Sequence, residues 1–306
     1  MPSSLGSAHR RPVHGVDFSA AAADAGAKTW IASGAVAADD TLDITGVAPL
    51  VEFLDLDAAD RGTALPALAN WLRGLDDDAV VGLDFPFGLP AFVVGAAGHD
   101  SWRSLINGFP GSLLEDADGN GDDPVRTFAE RCVGLTVELG EVTFDKRETD
   151  GAVGARSPYG FIADTIAFYG MRDVLAAVVD DVRVMPMDAG RDGAADGPTL
   201  VETYPAAVLD ALGLPRTKYK GSSDAETTRR RRNAEGLAAE SDVVYNEPVD
   251  LVDRIVDNDG GDALDAVAAC LGAYAASESD YEVAVDGEAE SDAVALEGYI
   301  YALRGR

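Results

Sequence analysis

A chain of 306 residues, 47% of them hydrophobic, is long enough to bury one large core or two modest ones. No stretch reaches the roughly 18 uninterrupted apolar residues that a membrane span needs, so no membrane partner is expected. With 54 acidic residues against 24 Lys and Arg, the net charge of −30 repels nucleic acid in dilute buffer; salt screens it, the Debye length falling to about 3 Å near 1 M.

In so acidic a chain an Asp in a loop carries almost no information. A carboxylate embedded in an apolar run does, because burying a charge unpaired is expensive. Met1 to Pro12, with His9-Arg10-Arg11 and no apolar segment behind it, reads as a loose, disordered tail. Residues 13–306 read as a single domain. Val13 to Ser19 opens it as a short strand ending at Asp17. Small residues from Ala20 to Ala27 make a turn. Lys28 to Val36 alternates as a second strand, and Thr41 to Thr45 suits a third. Thr63 to Leu75 places Leu65, Leu68, Ala69, Leu72 and Leu75 at helical spacing.

Ala79 to Leu83 is an apolar run with the β-branched pair Val80-Val81, suited to a strand buried on both faces. Asp84 ends it. The turn Phe85-Pro86-Phe87-Gly88-Leu89-Pro90 follows, where prolines cannot donate to a ladder. A carboxylate at the end of a buried strand, before a rigid apolar turn, is an active-site position in open α/β sheets.

Residues 91–181 read as added helices. Within them Glu115 to Asp123 starts like a calcium loop, with Asp116, Asp118, Asn120 and Gly121 in register. Thr127 stands where a bidentate Glu belongs, so a solvated loop is expected. Pro124 begins a helix reaching about Leu139, and Ile162 to Val179 is again helical. Strands follow at Val182 to Met187 and Thr199 to Pro205, the second carrying Glu202. A short helix runs from Ala206 to Leu212.

Arg216 to Arg232 is the only strongly basic segment and reads either as a solvated helix face or as a phosphate-contacting element. Asp262 to about Ala276 is a helix of small apolar residues. Asp262 can serve as its N-cap, but Asp265 lies a turn inside it and cannot. An acidic insert from Glu278 to Asp292 precedes a strand or turn at Leu296 to Ala302. Cys132 and Cys270 have no spacing partners, which points to a reducing, cytoplasmic setting and away from zinc.

Asp17, Asp84, Glu202, Asp262 and Asp265 are thus carboxylates in apolar surroundings. Gathered in one pocket they repel, and divalent cations would hold them together. All-oxygen ligands favour Mg²⁺ or Mn²⁺, two such ions being able to activate a water against a phosphodiester. The bland alternative makes each of them a cap or turn residue.

Strand-strand-strand-helix-strand, with Asp on the first and fourth strands and an Asp pair on the last helix, resembles the ribonuclease H-like fold. More closely, the chain resembles the predicted RNase H-like nuclease family catalogued as domain-of-unknown-function family 429. The pieces are G15-V-D-F-S, G82-L-D-F-P-F-G-L-P, K146-R-E-T-D, V201-E-T-Y-P, Y219-K-G, G261-D-A-L-D-A and E297-G-Y-I, in order over about residues 13 to 302. The resemblance implies a mixed α/β sheet flanked by helices. It implies Asp17, Asp84 and Asp262 or Asp265 as metal ligands, with Glu202 a further candidate. It implies Lys146, Arg147, Lys218 and Lys220 as phosphate or substrate contacts, and DNA or RNA as the partner. Ala20 departs from the pattern, where a Gly after the first-strand Ser would grip phosphate. The acidic composition, with only Lys28, Lys146, Lys218 and Lys220 as lysines, resembles that of proteins from salt-accumulating archaea. Two other functions fit the residues: an actin- or sugar-kinase-like ATP-binding protein, and a non-catalytic nucleic-acid- or protein-binding module.

Overall fold

Asp17 and Asp84 end neighbouring parallel strands, and the sheet built around those strands positions everything else. The computed structural model describes residues 10–114, 123–139, 142–191, 195–239, 241, 243–284 and 288–303. The calcium-like part of the acidic loop, residues 115–122, lies outside them.

The strands are β1 (Pro12–Asp17), β2 (Trp30–Val36), β3 (Leu42–Pro49), β4 (Val80–Asp84), β5 (Arg183–Met185), β6 (Thr199–Thr203), β7 (Val243–Tyr245) and β8 (Ile300–Tyr301). They form one mixed sheet in the order β5-β6-β4-β1-β2-β3-β7, with β8 added to the end of β6. β1 pairs in parallel with β4 and antiparallel with β2, and β6 pairs in parallel with β4. The chain builds outward from β1 on one side through β2 and β3, then crosses to the other side with β4 and β6. The β1–β4 boundary is therefore the topological switch point, where open α/β sheets carry ligands outside the carboxyl ends of their strands.

The helices used below are α1 (Arg61–Arg73), α2 (Pro124–Glu138), α3 (Glu148–Val153), α4 (Ile162–Tyr169), α5 (Pro205–Ala211), α6 (Asp224–Ala239), α7 (Pro248–Asp257), α8 (Asp262–Glu278) and α9 (Glu288–Glu297). α1 starts two residues earlier than its apolar spacing predicts, because the Asp60 side chain accepts from the Thr63 amide and caps it. The helix expected over Ile162 to Val179 is interrupted by a widened π-turn at Gly170–Leu175. There the Phe85 ring lies so close that a Cβ on Gly170 would sit 2.4 Å from it.

Strand alternation splits the core between the two faces. Val16, Val81, Leu83 and Leu200 point to one side with α1 and the helices of residues 91–181. Val13, Val80 and Val201 point to the other, beneath α8. α8 lies on the sheet with backbone nearly touching backbone. A Cβ on Gly15 would be 2.0 Å from the Cys270 amide nitrogen, and one on Gly82 would be 2.5 Å from the Ala269 carbonyl oxygen. That approach explains why α8 is made almost wholly of small residues.

The expected tail is shorter than its sequence suggests. Pro12 already belongs to β1, and Arg10 and Arg11 pair with Asp43 and Glu278 at 2.8 and 2.5 Å. β7 and α7 are elements the periodicity does not reveal. Among the described residues, no helix is long and apolar enough to cross a membrane.

Candidate metal centre

Four aspartates meet at the switch point. Asp17 and Asp84 are directly opposite each other in the β1–β4 register. Each lies two residues beyond a glycine that touches α8, so alternation turns both carboxyls to the α8 face. α8 contributes Asp262 and Asp265 from its first turn. Gly261, at φ 79°, takes the cap position, and the Asn258 side chain accepts from the Ala263 amide. Asp262 is therefore the first helical residue and not the N-cap.

Among the described residues, Lys220 is the cation paired with the cluster, and Lys28 acts on Asp262 from farther away. Lys220 Nζ is 2.6 Å from Asp265 Oδ2, and Tyr219 donates its hydroxyl to Asp265 Oδ1 at 2.7 Å. Both residues reach the start of α8 because Gly261 has no side chain; a Cβ there would lie 3.0 Å from Lys220 Cγ and 3.1 Å from the Tyr219 ring. The loop that carries them is stapled by Arg230. This arginine is fully buried and donates to the carbonyls of Tyr219, Gly221 and Val256.

The electrostatics follow from four carboxylates facing Lys220 and the more distant Lys28. Burial, then repulsion by Asp265, Asp84 and Asp262, raises Asp17 well above the usual carboxylate range, against the pull of Lys220. Asp84 is pushed up to about 8 by burial and then by Asp265, again opposed by Lys220. Asp262 is raised by burial and Asp265. Burial works to lower Lys220, but Asp265 and Asp17 outweigh it and keep the ammonium charged. Burial and the Asp265 charge push the Tyr219 phenol up, so it remains a neutral donor.

Glu202 adds to the repulsion on Asp84 but turns its carboxylate away from the cluster. Along β6, Val201 and Thr203 face α8, whereas Leu200 and Glu202 face the opposite core. Arg147 is as deeply buried as Glu202 and donates to both of its carboxylate oxygens, at 2.5 and 2.7 Å. It also donates to Asp150 Oδ1 at 2.7 Å. Glu202 further accepts from the Phe87 amide at 2.9 Å. Glu297 accepts from the amides of Ala91 and Glu148 at 2.6 and 2.8 Å. These bonds tie the Pro-rich turn after Asp84 to the end of β6, to α3 and to the end of α9.

Arg147, expected to contact substrate, is thus an internal strut. Lys146 and Lys218 are exposed. The basic segment is divided: Arg230 points inward, Arg231 pairs with Asp253 at 3.0 Å, and Arg229 donates to the Lys218 carbonyl. Tyr219, Asp150 and Glu297 are site or support residues that the sequence does not single out, although each stands in one of the motifs above. Glu297 carries a signal, a charge among Leu296, Tyr299 and Ile300; Asp150 and Tyr219 stand in charged segments and carry none.

The donor set is all oxygen, which suits Mg²⁺ or Mn²⁺. Among the described residues no three acidic, His or Cys side chains close around one point at ligating distance. Lys220 is the cation on Asp265. The fit is one of donor chemistry and charge.

A family model described as "Protein of unknown function (DUF429)" matches residues 172–290. That span contains Lys220, Asp262 and Asp265 but neither Asp17 nor Asp84. No curated protein and no solved structure matches the chain.

Proposed function

We propose that the aspartate cluster is a divalent-metal site for hydrolysis of phosphodiester bonds in nucleic acid, on a sheet of ribonuclease H-like kind. One observation carries the reading. Four aspartates from three elements crowd the carboxyl end of the switch point, and only Lys220 pairs directly with them among the described residues, with Lys28 pulling on Asp262 from farther off. Beyond burial, the charge of Asp265 raises both Asp17 and Asp84, a mutual repulsion that a divalent cation would relieve. The element order strand-strand-strand-helix-strand, with aspartates ending β1 and β4, supports the ribonuclease H-like arrangement.

Asp17, Asp84 and Asp265 would hold the metal, with Asp262 completing the set. When bound, Mg²⁺ or Mn²⁺ supplies an activated water and charge stabilisation for the leaving oxygen. The chain's own residues do the rest. Tyr219 holds the Asp265 carboxylate in one orientation, and Lys220 offers a cation at the mouth of the cluster. Phe85, Phe87 and Leu89 are buried in the opposite core and anchor the turn that follows Asp84.

Cleavage of labelled single-stranded, duplex and hybrid substrates with Mn²⁺ in molar KCl tests this. Asp84→Asn should cut the rate by about 100-fold or more, since even residues that only orient metal ligands cost up to that. Equal rates for variant and wild type, or no cleavage of any substrate, would sink the nuclease. The ATP-binding rival needs a Gly-rich phosphate loop after β1, where Ser19 to Ala23 stands instead. A nucleotide-dependent thermal shift would favour it.

A further inference from the structure

The two most exposed large apolar side chains among the described residues that sit side by side are Phe161, 74% exposed, and Ile162, 76% exposed. Phe161 has φ 50° and ψ −130°, a backbone state that costs a bulky residue energy and persists only where its surroundings over-determine it. The ring is held from behind by Phe144, with centroids 5.8 Å apart and planes 33° from parallel. Gly160 makes room for that contact; a Cβ there would stand 3.3 Å from Phe144. The guanidinium of Arg156 lies 6.0 Å over the Phe161 ring.

The patch borders the chain segment that leaves the aspartate cluster. Phe161 and Ile162 form one wall of a groove whose other wall is Ser19, Ala20 and Ala21, the turn that leaves β1 directly after Asp17. The groove has a volume of about 470 Å³, room for a flat heterocycle. Its one acidic side chain, Asp164, already accepts from the Thr165 amide and hydroxyl. Arg156 and Lys146 are exposed and form no ion pair among the described residues, in a chain where acids outnumber bases.

We propose that Phe161, backed by Phe144 and flanked by Arg156, is a stacking platform for an unpaired base of single-stranded nucleic acid, in a groove walled by the turn that follows Asp17. The proposal names the substrate class for the nuclease reading and rests on it. Two physical points select a single strand. A stacked base must be free of its pair, and base–aromatic stacking tolerates any sequence. A chain of net charge −30 also cannot rely on long-range attraction to phosphate. Stacking works at short range and survives the salt that screens charge.

Binding is read by fluorescence anisotropy with labelled DNA and RNA 12-mers, single-stranded and duplex, in EDTA and 1 M KCl. The proteins are the full chain and its variants. Phe161→Ala should weaken single-strand binding about fivefold or more, the lower end for one stacked base, and leave duplex binding, weaker from the start, unchanged. Phe161→Trp should restore single-strand binding, with added tryptophan emission that the oligonucleotide quenches. Val249→Ala, at another exposed apolar residue, is the control and should bind as wild type does. Equal single-strand binding by wild type and Phe161→Ala, absence of single-strand binding, or equal dependence of duplex binding on Phe161 would overturn the platform. Because no metal is present, the two readings fail separately. Mn²⁺-dependent cleavage with Phe161-independent binding overturns the platform alone, and Phe161-dependent binding without cleavage overturns the nuclease alone.

Discussion

Asp84→Asn should stabilise the metal-free protein at neutral pH and lose that advantage in acid. Asp84 has its folded pKa raised from 3.8 to about 8 by burial and by Asp265. A raised carboxylate binds its proton more tightly in the folded state, so folding carries no penalty from this group below about pH 4. The penalty grows as pH rises from there and levels off above pH 8. Each pH unit in that window is worth about 1.4 kcal/mol, which makes a ceiling of about 4 kcal/mol at pH 7. Asp84 is only partly buried by exposed area, and solvent relaxes the charge, so we expect about 2 kcal/mol. An amide has the shape of the protonated acid and no proton to lose. With about 2.1 cal/mol/K of unfolding entropy per residue, 2 kcal/mol corresponds to a rise of roughly 3 °C in Tm. The assay is thermal unfolding in EDTA at fixed molar KCl, from pH 4 to pH 9, for both proteins. The same scans with Mn²⁺ should reverse the order, because a ligand at 100 times its Kd adds about 2.7 kcal/mol to the protein that binds it. A pH-independent difference between the two proteins, or a variant less stable than wild type at pH 8 without metal, would refute the reasoning.

Three further outcomes follow from the packing. Arg147→Met leaves Glu202 and Asp150 buried without their cation and should cost about 3–5 kcal/mol, seen as a fall in Tm. Gly15→Ala forces a methyl to within 2.0 Å of the α8 backbone; chemical denaturation should show a loss of about 3 kcal/mol or more, whereas Gly46→Ala, with open space at its Cβ, should change stability far less. Both cysteines are buried, and burial pushes both thiols up. Ellman's reagent at pH 8 should find no reactive thiol in the native protein and two after unfolding; a reactive thiol in the native state would contradict the burial.

The Arg147 strut shows where local reading stops. K146-R-E-T-D is a dense charge run, and in a chain this acidic such a run looks solvated. Only the packing of α3 against β8 and α9, with Arg147 reaching Glu202 on β6, turns Arg147 and Asp150 inward. Arg230 is similar: four consecutive arginines on a helix must point in different directions, and the contact of α6 with α7 decides which one is buried.

What sequence determined by itself is the set of carboxylates that matter and the strand ends that carry them. Asp17 and Asp84 follow apolar runs whose length and β-branched residues suit buried strands, and the prolines after Asp84 force the chain to turn there. Asp265 was legible for the same reason, a charge one turn inside a helix of small apolar residues. Those are local facts, set by backbone sterics and by the cost of burying a lone charge. Tertiary structure decided which carboxylates meet. The β1–β4 register sets Asp17 against Asp84, and the glycines that admit α8 bring Asp265 to them. The alternation of β6 turns Glu202 away to the opposite core. Strand pairing and side-chain facing are long-range: one residue of register moves every side chain to the other face, and no local pattern encodes which neighbour a strand finds.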